Sequence, residues 1–382
     1  MKRHMVVLLV DALGWELALR SPGFAAGLTQ RRRLETVLGF SSGALPTLFS
    51  GKLPVEHGRF LMYRRRSGNS PFDGFGALRW LPARLRRGPR LARVLRRIVS
   101  GRGVHGYFHL YDVPRELLPE FDLAERDDVF APRGLAVDSL WDTLERRSMP
   151  WAGRNWRTTE AENLAWLERE TAAGEKSFLF LYTADLDALL HREGSVGAGV
   201  HAAIARYDAW IARLLADAAA RGEELWLYLL SDHGMVDVTA HEDVMGRLDP
   251  LEVRWPHDYL AFFDSTMARF WWRTPRAREA VRRALEGARG RWLDDAALER
   301  AGARFAGREY GEDLFLLDPG VLMVPSFMGA NPLAAMHGYD PAHPDMAALL
   351  WSNRPVPASV RHLADVRSFL ESELDALDGS AA

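Results

Sequence analysis

The chain has 382 residues, of which 48% are hydrophobic, and its formal net charge is −2. A chain of this length is expected to bury a large core and to carry an inserted cap, while the small net charge points to no particular class of partner. Cysteine is absent, which excludes disulfide bonds and thiolate metal sites but does not decide the cellular compartment.

The N-terminal segment predicts an internal strand rather than a targeting signal. An apolar run over residues 5–10 directly precedes Asp11 and has to be kept if that acid has a function. In addition, no apolar run reaches the roughly 18 residues that a membrane span requires. A cytoplasmic location is therefore expected.

Strand and helix signals alternate along the chain. Continuous apolar runs over residues 5–10, 177–182 and 225–230 are typical of buried parallel strands. The segment 43–50 predicts a helix, and the apolar spacing over 200–218 predicts a longer amphipathic one. This repeated order of strand and helix predicts a doubly wound α/β core.

Acid and imidazole side chains follow the three predicted strands, and one further histidine lies near the C-terminus: Asp11, Asp187 with His191, Asp232 with His233, and His337. Each has an ordinary alternative, such as a helix cap or a solvated loop residue. Asp232 and His233 can point the same way only if a turn begins there, which Gly234 permits. Oxygen and imidazole donors without thiolate suit zinc or manganese, and two such ions about 4 Å apart can promote phosphoryl transfer.

Five short segments occur in an order that is more specific than any one of them. They are Val10-Asp11-Ala12-Leu13-Gly14, Ser41 placed ten residues before Gly51, Asp187-Ala188-Leu189-Leu190-His191, Ser231-Asp232-His233-Gly234-Met235 and His337-Gly338-Tyr339-Asp340. In this order they resemble the alkaline phosphatase superfamily, most closely its type I phosphodiesterase/nucleotide pyrophosphatase branch. The resemblance extends over residues 5–355, with an unmatched insertion at 63–127.

The resemblance implies an alkaline-phosphatase-like α/β/α sandwich and a site with two divalent metal ions, zinc being expected and manganese the alternative. It assigns one metal to Asp11, Ser41, Asp232 and His233, and the other to Asp187, His191 and His337. Ser41 would be the nucleophile and would form a phosphoseryl intermediate, since a divalent cation can activate a serine hydroxyl. Ser42 is its immediate rival.

The sequence departs from the family at a position that affects substrate binding. Ala44 stands where the branch typically has an asparagine that contacts a phosphate oxygen. Arg154 and Asn155 are candidate replacements, although they are equally typical of a solvated loop. Sulfatase chemistry is disfavoured because the residues after Ser41 lack that branch's proline and arginine.

The insertion is rich in arginine. It contains twelve arginines, one acid and no lysine between residues 64 and 102, and its later part predicts an amphipathic helix broken at residues 88–89. It could be a structural cap, or a cationic surface for a polyanionic or lipid-bearing substrate or an anionic membrane. Nucleic acid is disfavoured because no aromatic residues are interleaved with the arginines.

The domain prediction is a single catalytic domain over residues 1–375 that contains the insertion at 63–127. A small subdomain is predicted at 245–330, and a flexible tail at 376–382. Within the small subdomain, the aromatic residues at 262–263 and 270–272 are expected to form core rather than a base-stacking platform.

These observations predict a metal-dependent hydrolase that prefers phosphodiester or pyrophosphate bonds to monoesters. A phosphomonoesterase, a phosphonate hydrolase and a phosphoryl transferase or mutase are alternatives, because the same residues would serve each of them. A non-enzymatic protein that binds an anionic ligand or a membrane surface is a further alternative, but such a protein has no chemical use for Ser41.

Overall fold

The computed structural model describes residues 3–86 and 88–379. Within them the strands are β1 (Arg3–Val10), β2 (Gln30–Leu34), β3 (Tyr63–Arg65), β4 (Phe121–Leu123), β5 (Trp151–Arg154), β6 (Phe178–Thr183), β7 (Glu224–Leu230), β8 (Val236–Asp237), β9 (Ala240–Glu242), β10 (Tyr259–Phe263), β11 (Met267–Trp272), β12 (Gly290–Leu293), β13 (Asp313–Leu317), β14 (Val321–Met323), β15 (Ala335–Met336) and β16 (Ala348–Ser352).

The α-helices of the same residues are α1 (Trp15–Leu19), α2 (Ser41–Ser50), α3 (Pro54–His57), α4 (Ala83–Arg86), α5 (Pro89–Gly101), α6 (Leu140–Arg146), α7 (Glu160–Ala173), α8 (Asp185–Glu193), α9 (Ala198–Ala220), α10 (Val244–Leu248), α11 (Pro275–Ala284), α12 (Asp295–Arg300) and α13 (Leu363–Gly379). Short 3₁₀ helices lie at Phe75–Trp80, Arg115–Glu120 and Pro344–Met346. No helix in the described residues is both long and apolar enough to cross a membrane.

The central sheet has the strand order β2-β16-β7-β1-β6-β5. Strands β7, β1, β6 and β5 run parallel, and β16 is antiparallel to both of its neighbours. The three apolar runs of the sequence are thus the adjacent central strands β7, β1 and β6. They are continuous in hydrophobicity because both faces of a parallel sheet are covered.

Helices cover both faces of this sheet. Alternate residues of β1 point to opposite sides: Val6 and Leu8 pack in a core that includes much of α9, whereas Val7 and Leu9 pack against residues of α2 and α13. Because a buried sheet needs apolar partners on each face, this arrangement explains the α/β/α layering that was predicted.

A smaller antiparallel sheet, with the order β10-β11-β13-β12, lies in the predicted subdomain at 245–330. Phe262 and Phe270 are buried in its core, as expected. The insertion does not have a core of its own, because Tyr63, Leu95 and Phe121 pack in the same apolar cluster as this sheet. Parts of the segments 63–127 and 245–330, predicted as two distinct parts of one domain, therefore share a hydrophobic core.

Two local predictions have different outcomes in the structure. The insertion's helical region is interrupted between α4 and α5, at the predicted position before Pro89. The prediction of a flexible tail from residue 376 is wrong for residues 376–379, because α13 continues to Gly379. Leu370, Leu374 and Leu377 lie on one helical face, and all three are buried against the sheet. The rest of the predicted tail, 380–382, lies outside the described residues.

Candidate active site

The catalytic candidates gather at the carboxyl-terminal edge of the central sheet. Parallel pairing aligns β1, β6 and β7, so the segments that follow them meet at the same edge. Asp11 follows β1 directly, Asp232 and His233 follow β7, and Asp187 lies in the first turn of α8 after β6.

One group consists of Asp11, Asp232, His233 and Ser41. Nε2 of His233 lies 3.4 Å from Oδ1 of Asp11 and 3.3 Å from Oδ2 of Asp232. The Oγ atom of Ser41 lies 3.0 Å from the same nitrogen. These atoms come from separate parts of the chain and converge on one point, where Asp11, Asp232 and His233 could hold a metal ion.

The second group consists of Asp187, His191 and His337. Oδ1 of Asp187 lies 3.3 Å from Nε2 of His191 and 3.7 Å from Nε2 of His337. The ring of His337 also stacks on that of His233, with 3.9 Å between the centroids. The two groups are therefore adjacent, and their donors are divided as the resemblance implies.

Two of the histidines are oriented by backbone carbonyl groups. Nδ1 of His191 lies 2.9 Å from the oxygen of Ala335, and Nδ1 of His233 lies 3.0 Å from the oxygen of Gly234. A carbonyl oxygen can only accept a hydrogen bond, so Nδ1 carries the proton in both rings. The lone pair on each Nε2 is left for a cation, as is usual for histidine ligands.

The negative charge of the two groups suits divalent cations, and so do their buried carboxylate oxygens that lack a hydrogen-bond donor. Within the described residues, Oδ1 of Asp11, Oδ1 of Asp187 and Oδ2 of Asp232 are buried without a hydrogen-bond donor. Burial, together with the charges of Asp232 and Asp187, raises the pKa of Asp11 well above its ordinary value. Buried carboxylates that repel one another need a compensating cation, since an unpaired buried charge is costly.

Position 234 requires glycine because there is no room for a Cβ atom. A Cβ atom at this position would lie 1.9 Å from the backbone oxygen of Asp345 and 3.2 Å from that of Ala347. Gly234 is thus pressed against the segment before β16, while Asp232 and His233 turn together towards the site. The chain bends at Asp232, and Gly234 permits a close backbone approach.

Tyr182, in β6, orients the first ligand. Its hydroxyl donates a hydrogen bond to Oδ2 of Asp11 and leaves Oδ1 facing His233. The sequence interpretation treated Tyr182 only as a strand residue. Its position at the end of a predicted strand was the one available signal, and it did not identify the partner.

The structure distinguishes Ser41 from Ser42. Helix α2 begins at Ser41 itself, with Phe40 as the N-cap, two residues earlier than the predicted start. Ser41 faces His233, whereas the Ser42 hydroxyl donates to the carbonyl oxygen of Phe60 at 3.3 Å. Only Ser41 is therefore aimed at the metal-ligand group.

A buried histidine holds the start of the Ser41 helix in place. Nε2 of His57 lies 3.0 Å from the hydroxyl of Thr47, which donates to the carbonyl oxygen of Gly43 at 2.9 Å. Nδ1 of His57 accepts from the amide of Arg59 at 3.2 Å. This network requires a neutral ring, and burial, followed by the charge of Arg59, lowers the pKa of His57 to about 3.

We predict that His57 makes the protein less stable in acid. Its pKa is lower in the folded state than in the unfolded state, so its contribution is complete above about pH 6.5 and is lost as the pH falls towards about 3. In urea unfolding at a series of pH values, His57→Gln should reduce the slope of unfolding free energy in this range by up to about 1.4 kcal/mol per pH unit. The exposed His241→Gln is the control, and equal slopes for wild type and His57→Gln would contradict the prediction.

A cavity of about 360 Å³ opens over both ligand groups. Its wall includes Tyr107, Tyr111 and Glu125 from the insertion, together with Trp156 and Asp264. Sequence reasoning missed these wall residues, because nothing in their local pattern marks them as neighbours of the ligands. Burial raises the pKa of Glu125 and that of Asp264.

Arg154 and Asn155, the candidate substrate contacts, are not among the residues that line this cavity. The guanidinium of Arg154 packs over the ring of Trp166 at 5.2 Å, and the Asn155 side chain accepts from the amide of Arg157 at 3.1 Å. The neighbouring Trp156 reaches the cavity instead. The structure therefore brings together the seven predicted catalytic and metal-binding residues but not these two.

Comparisons with known proteins find a matching family and similar folds. A family model described as type I phosphodiesterase/nucleotide pyrophosphatase matches residues 5–300. A search of curated proteins finds no match. The structure is similar to that of human ectonucleotide pyrophosphatase/phosphodiesterase 5, with a TM-score of 0.67 and 15% identity over 98% of this chain and 95% of that one.

The murine counterpart gives a TM-score of 0.66 and 16% identity, again over 98% of this chain and 95% of that one. A structure of an inactive murine variant, with threonine replaced by alanine and in complex with AMP, matches with a TM-score of 0.66, 15% identity and the same coverage. At these identities the likeness shows the fold, so the predicted alkaline-phosphatase-like fold class is confirmed.

Proposed function

The chain belongs to the type I phosphodiesterase/nucleotide pyrophosphatase family, and we propose that it cleaves phosphodiester or pyrophosphate bonds through a phosphoseryl intermediate on Ser41. The observation that carries this proposal is the position of the Ser41 hydroxyl, 3.0 Å from Nε2 of His233. This contact places the nucleophile beside one of two adjacent groups of metal-ligand residues. A protein that only binds anions would not need this hydroxyl.

In the first step, Oγ of Ser41 loses its proton to solvent and forms a bond to phosphorus, while the bond from phosphorus to the leaving oxygen breaks and that oxygen takes up a proton. Water then hydrolyses the phosphoseryl ester and restores the serine. Divalent cations held by the two groups would lower the pKa of the serine hydroxyl and offset charge on the phosphate and the leaving oxygen. We propose zinc, with manganese as the alternative, because the donors are imidazole and carboxylate.

The start of α2 supplies donors that compensate for the missing asparagine at Ala44. The amides of Gly43 and Ala44 donate to the carbonyl oxygen of Phe40. Those of Ser41 and Ser42 have no acceptor within the described residues. The first amides of a helix are a favourable site for a phosphate oxygen.

The cavity favours a diester over a monoester. No lysine or arginine is among the described residues that line it. A phosphomonoester carries nearly one more negative charge than a diester and gains more from an additional cation, so it would be recognised less well here. Phosphonate hydrolysis and phosphoryl transfer use the same seven residues and are separated by substrate and product analysis.

The aromatic wall fits a substrate with a planar group, such as a nucleotide. Trp156 and Tyr107 are in edge-to-face contact, with centroids 5.3 Å apart, and the Arg157 guanidinium lies 4.6 Å from the centre of the Trp156 ring. Arg157 is itself held by Asp128 at 3.0 Å. The AMP complex of the murine relative supports a nucleotide as one member of the substrate class.

The test compares bis-nitrophenyl phosphate, nitrophenyl phosphate and a dinucleotide, each with zinc and then with manganese. The diesters should turn over faster than the monoester. Preferential turnover of the monoester would reject the proposed selectivity, and no turnover of any substrate with either metal would reject hydrolysis.

We predict that Trp156→Ala raises KM for the dinucleotide on the order of 10-fold, because stacking on an aromatic ring is lost. Steady-state kinetics would measure this, with Trp80→Ala as the control because Trp80 is exposed and outside the cavity wall. An unchanged KM would remove Trp156 from the substrate site.

A cytoplasmic location is also proposed, and cell fractionation would test it.

A further inference from the structure

Helix α5 of the insertion has one buried side and one exposed, cationic side. Leu95 and Val99 pack in the core shared with the small antiparallel sheet, which determines the orientation of the helix. Six exposed residues of this helix are called the α5 surface here: Arg90, Arg93, Val94, Arg96, Arg97 and Ile98. Since neither Val94 nor Ile98 contributes to the core, their exposure needs another explanation.

The insertion's arginines divide into two sets. Those of the first set form ion pairs within the protein: Arg64 with Asp122, Arg65 with Glu312, Arg66 with Asp73, and Arg86 with Glu116. The four arginines of the α5 surface form no ion pair within the described residues. A structural role accounts for the first set and not for the second.

Apolar side chains are exposed beside these unpaired charges. Val94 is 50% exposed and Ile98 38%, and nearby in the chain Leu85 and Trp80 are 59% and 78% exposed. A helix that combines exposed aliphatic residues with arginines is typical of a segment that lies in a membrane interface. A soluble anion or a highly charged partner would gain nothing from the aliphatic residues.

We propose that the α5 surface docks this protein on an anionic membrane surface. The guanidinium groups would bind lipid phosphate and carboxylate groups, for which arginine's planar fork is suited. Val94 and Ile98 would enter the apolar edge of the headgroup layer. Nucleic acid is disfavoured because the α5 surface contains no aromatic ring on which a base could stack.

This docking would place the catalytic cavity close to the membrane. Helix α5 ends at Gly101, and the segment that follows carries Tyr107 and Tyr111 into the cavity wall. The proposal concerns location only, so it does not depend on which phosphoester is cleaved.

The test is flotation of the full chain with phosphatidylcholine vesicles and with vesicles that also contain phosphatidylserine, at physiological ionic strength. Wild type should float mainly with the anionic vesicles. The triple variant Arg90→Glu/Arg93→Glu/Arg97→Glu should bind them on the order of 100-fold more weakly, because each basic residue near such a surface contributes substantially. The control is Arg169→Glu/Arg283→Glu/Arg300→Glu, which makes the same charge change at exposed arginines on α7, α11 and α12.

A second pair of variants tests the apolar contribution without changing charge. Val94→Ser/Ile98→Ser should weaken vesicle binding by about 10-fold or more, whereas Leu19→Ser/Val196→Ser, at exposed positions elsewhere, should not. Thermal melting checks folding, and all variants should hydrolyse soluble bis-nitrophenyl phosphate like wild type, which separates docking from catalysis. Failure of wild type to float, equal loss in the control triple, or arginine-dependent binding of RNA or an acidic protein without vesicle binding would each overturn the proposal.

Discussion

Ser41→Ala should lower turnover by on the order of 10⁴-fold or more while the protein stays folded. The Ser41 hydroxyl is 3.0 Å from Nε2 of His233, and the covalent route depends on it entirely. Its loss removes one hydrogen bond at the start of α2, which costs only about 1 kcal/mol of stability. Steady-state kinetics and thermal melting on the same preparation would separate the two effects.

Ser42→Ala is the matched control for this prediction. The Ser42 hydroxyl is bonded to the carbonyl oxygen of Phe60, so most activity should remain. Ser41→Thr keeps the hydroxyl and should keep part of the activity. Enzyme that is acid-quenched during turnover of a diester should carry the retained half of the substrate, as a phosphodiester, on the peptide that contains Ser41. An active Ser41→Ala protein together with an inactive Ser42→Ala protein would transfer the nucleophile role to Ser42.

The two metal sites should be separable by mutation. Asp232→Asn would place an amide nitrogen or a neutral oxygen where the buried Oδ2 atom has no donor, and it should empty the site beside Asp11 and Ser41. His337→Ala should mainly empty the site beside Asp187 and His191. Substitution of a residue that only contacts a metal ligand typically lowers metal affinity about 10- to 100-fold. In each of these two variants the affinity for the affected metal should fall by more than that.

Metal content of each purified variant and calorimetric titration of the metal-free protein would check this. The controls are His241→Ala and Asp318→Asn, which change the same residue types at exposed positions outside both groups. Because the rings of His337 and His233 stack at 3.9 Å, His337→Ala should also weaken the first site slightly. Two metal equivalents and normal activity in both site variants would refute the proposed ligand assignment.

The layered core was predictable from sequence because its strongest signals are local. Strands β1, β6 and β7 each contain a continuous apolar run, which is typical of a strand buried on both faces. The glycine-proline break before α5 is equally local, since proline removes a backbone donor and restricts its own φ. The end of α13 was not predicted, because the composition near residue 378 is typical of a flexible tail. In the structure, the buried Leu377 packs this end of the helix against the core.

The amino-acid sequence by itself supplied the seven catalytic and metal-binding candidates, because the order of five short segments resembles the phosphodiesterase branch and that resemblance implies their roles. It could not determine that Tyr182 orients Asp11, that Tyr107 and Trp156 share a wall, or that the arginines of the α5 surface form no ion pair within the described residues. Each of those facts depends on which distant segments pack together. Only the tertiary structure decided them, because a side chain's role follows from its neighbours in space once the parallel strands have brought their carboxyl ends to one edge.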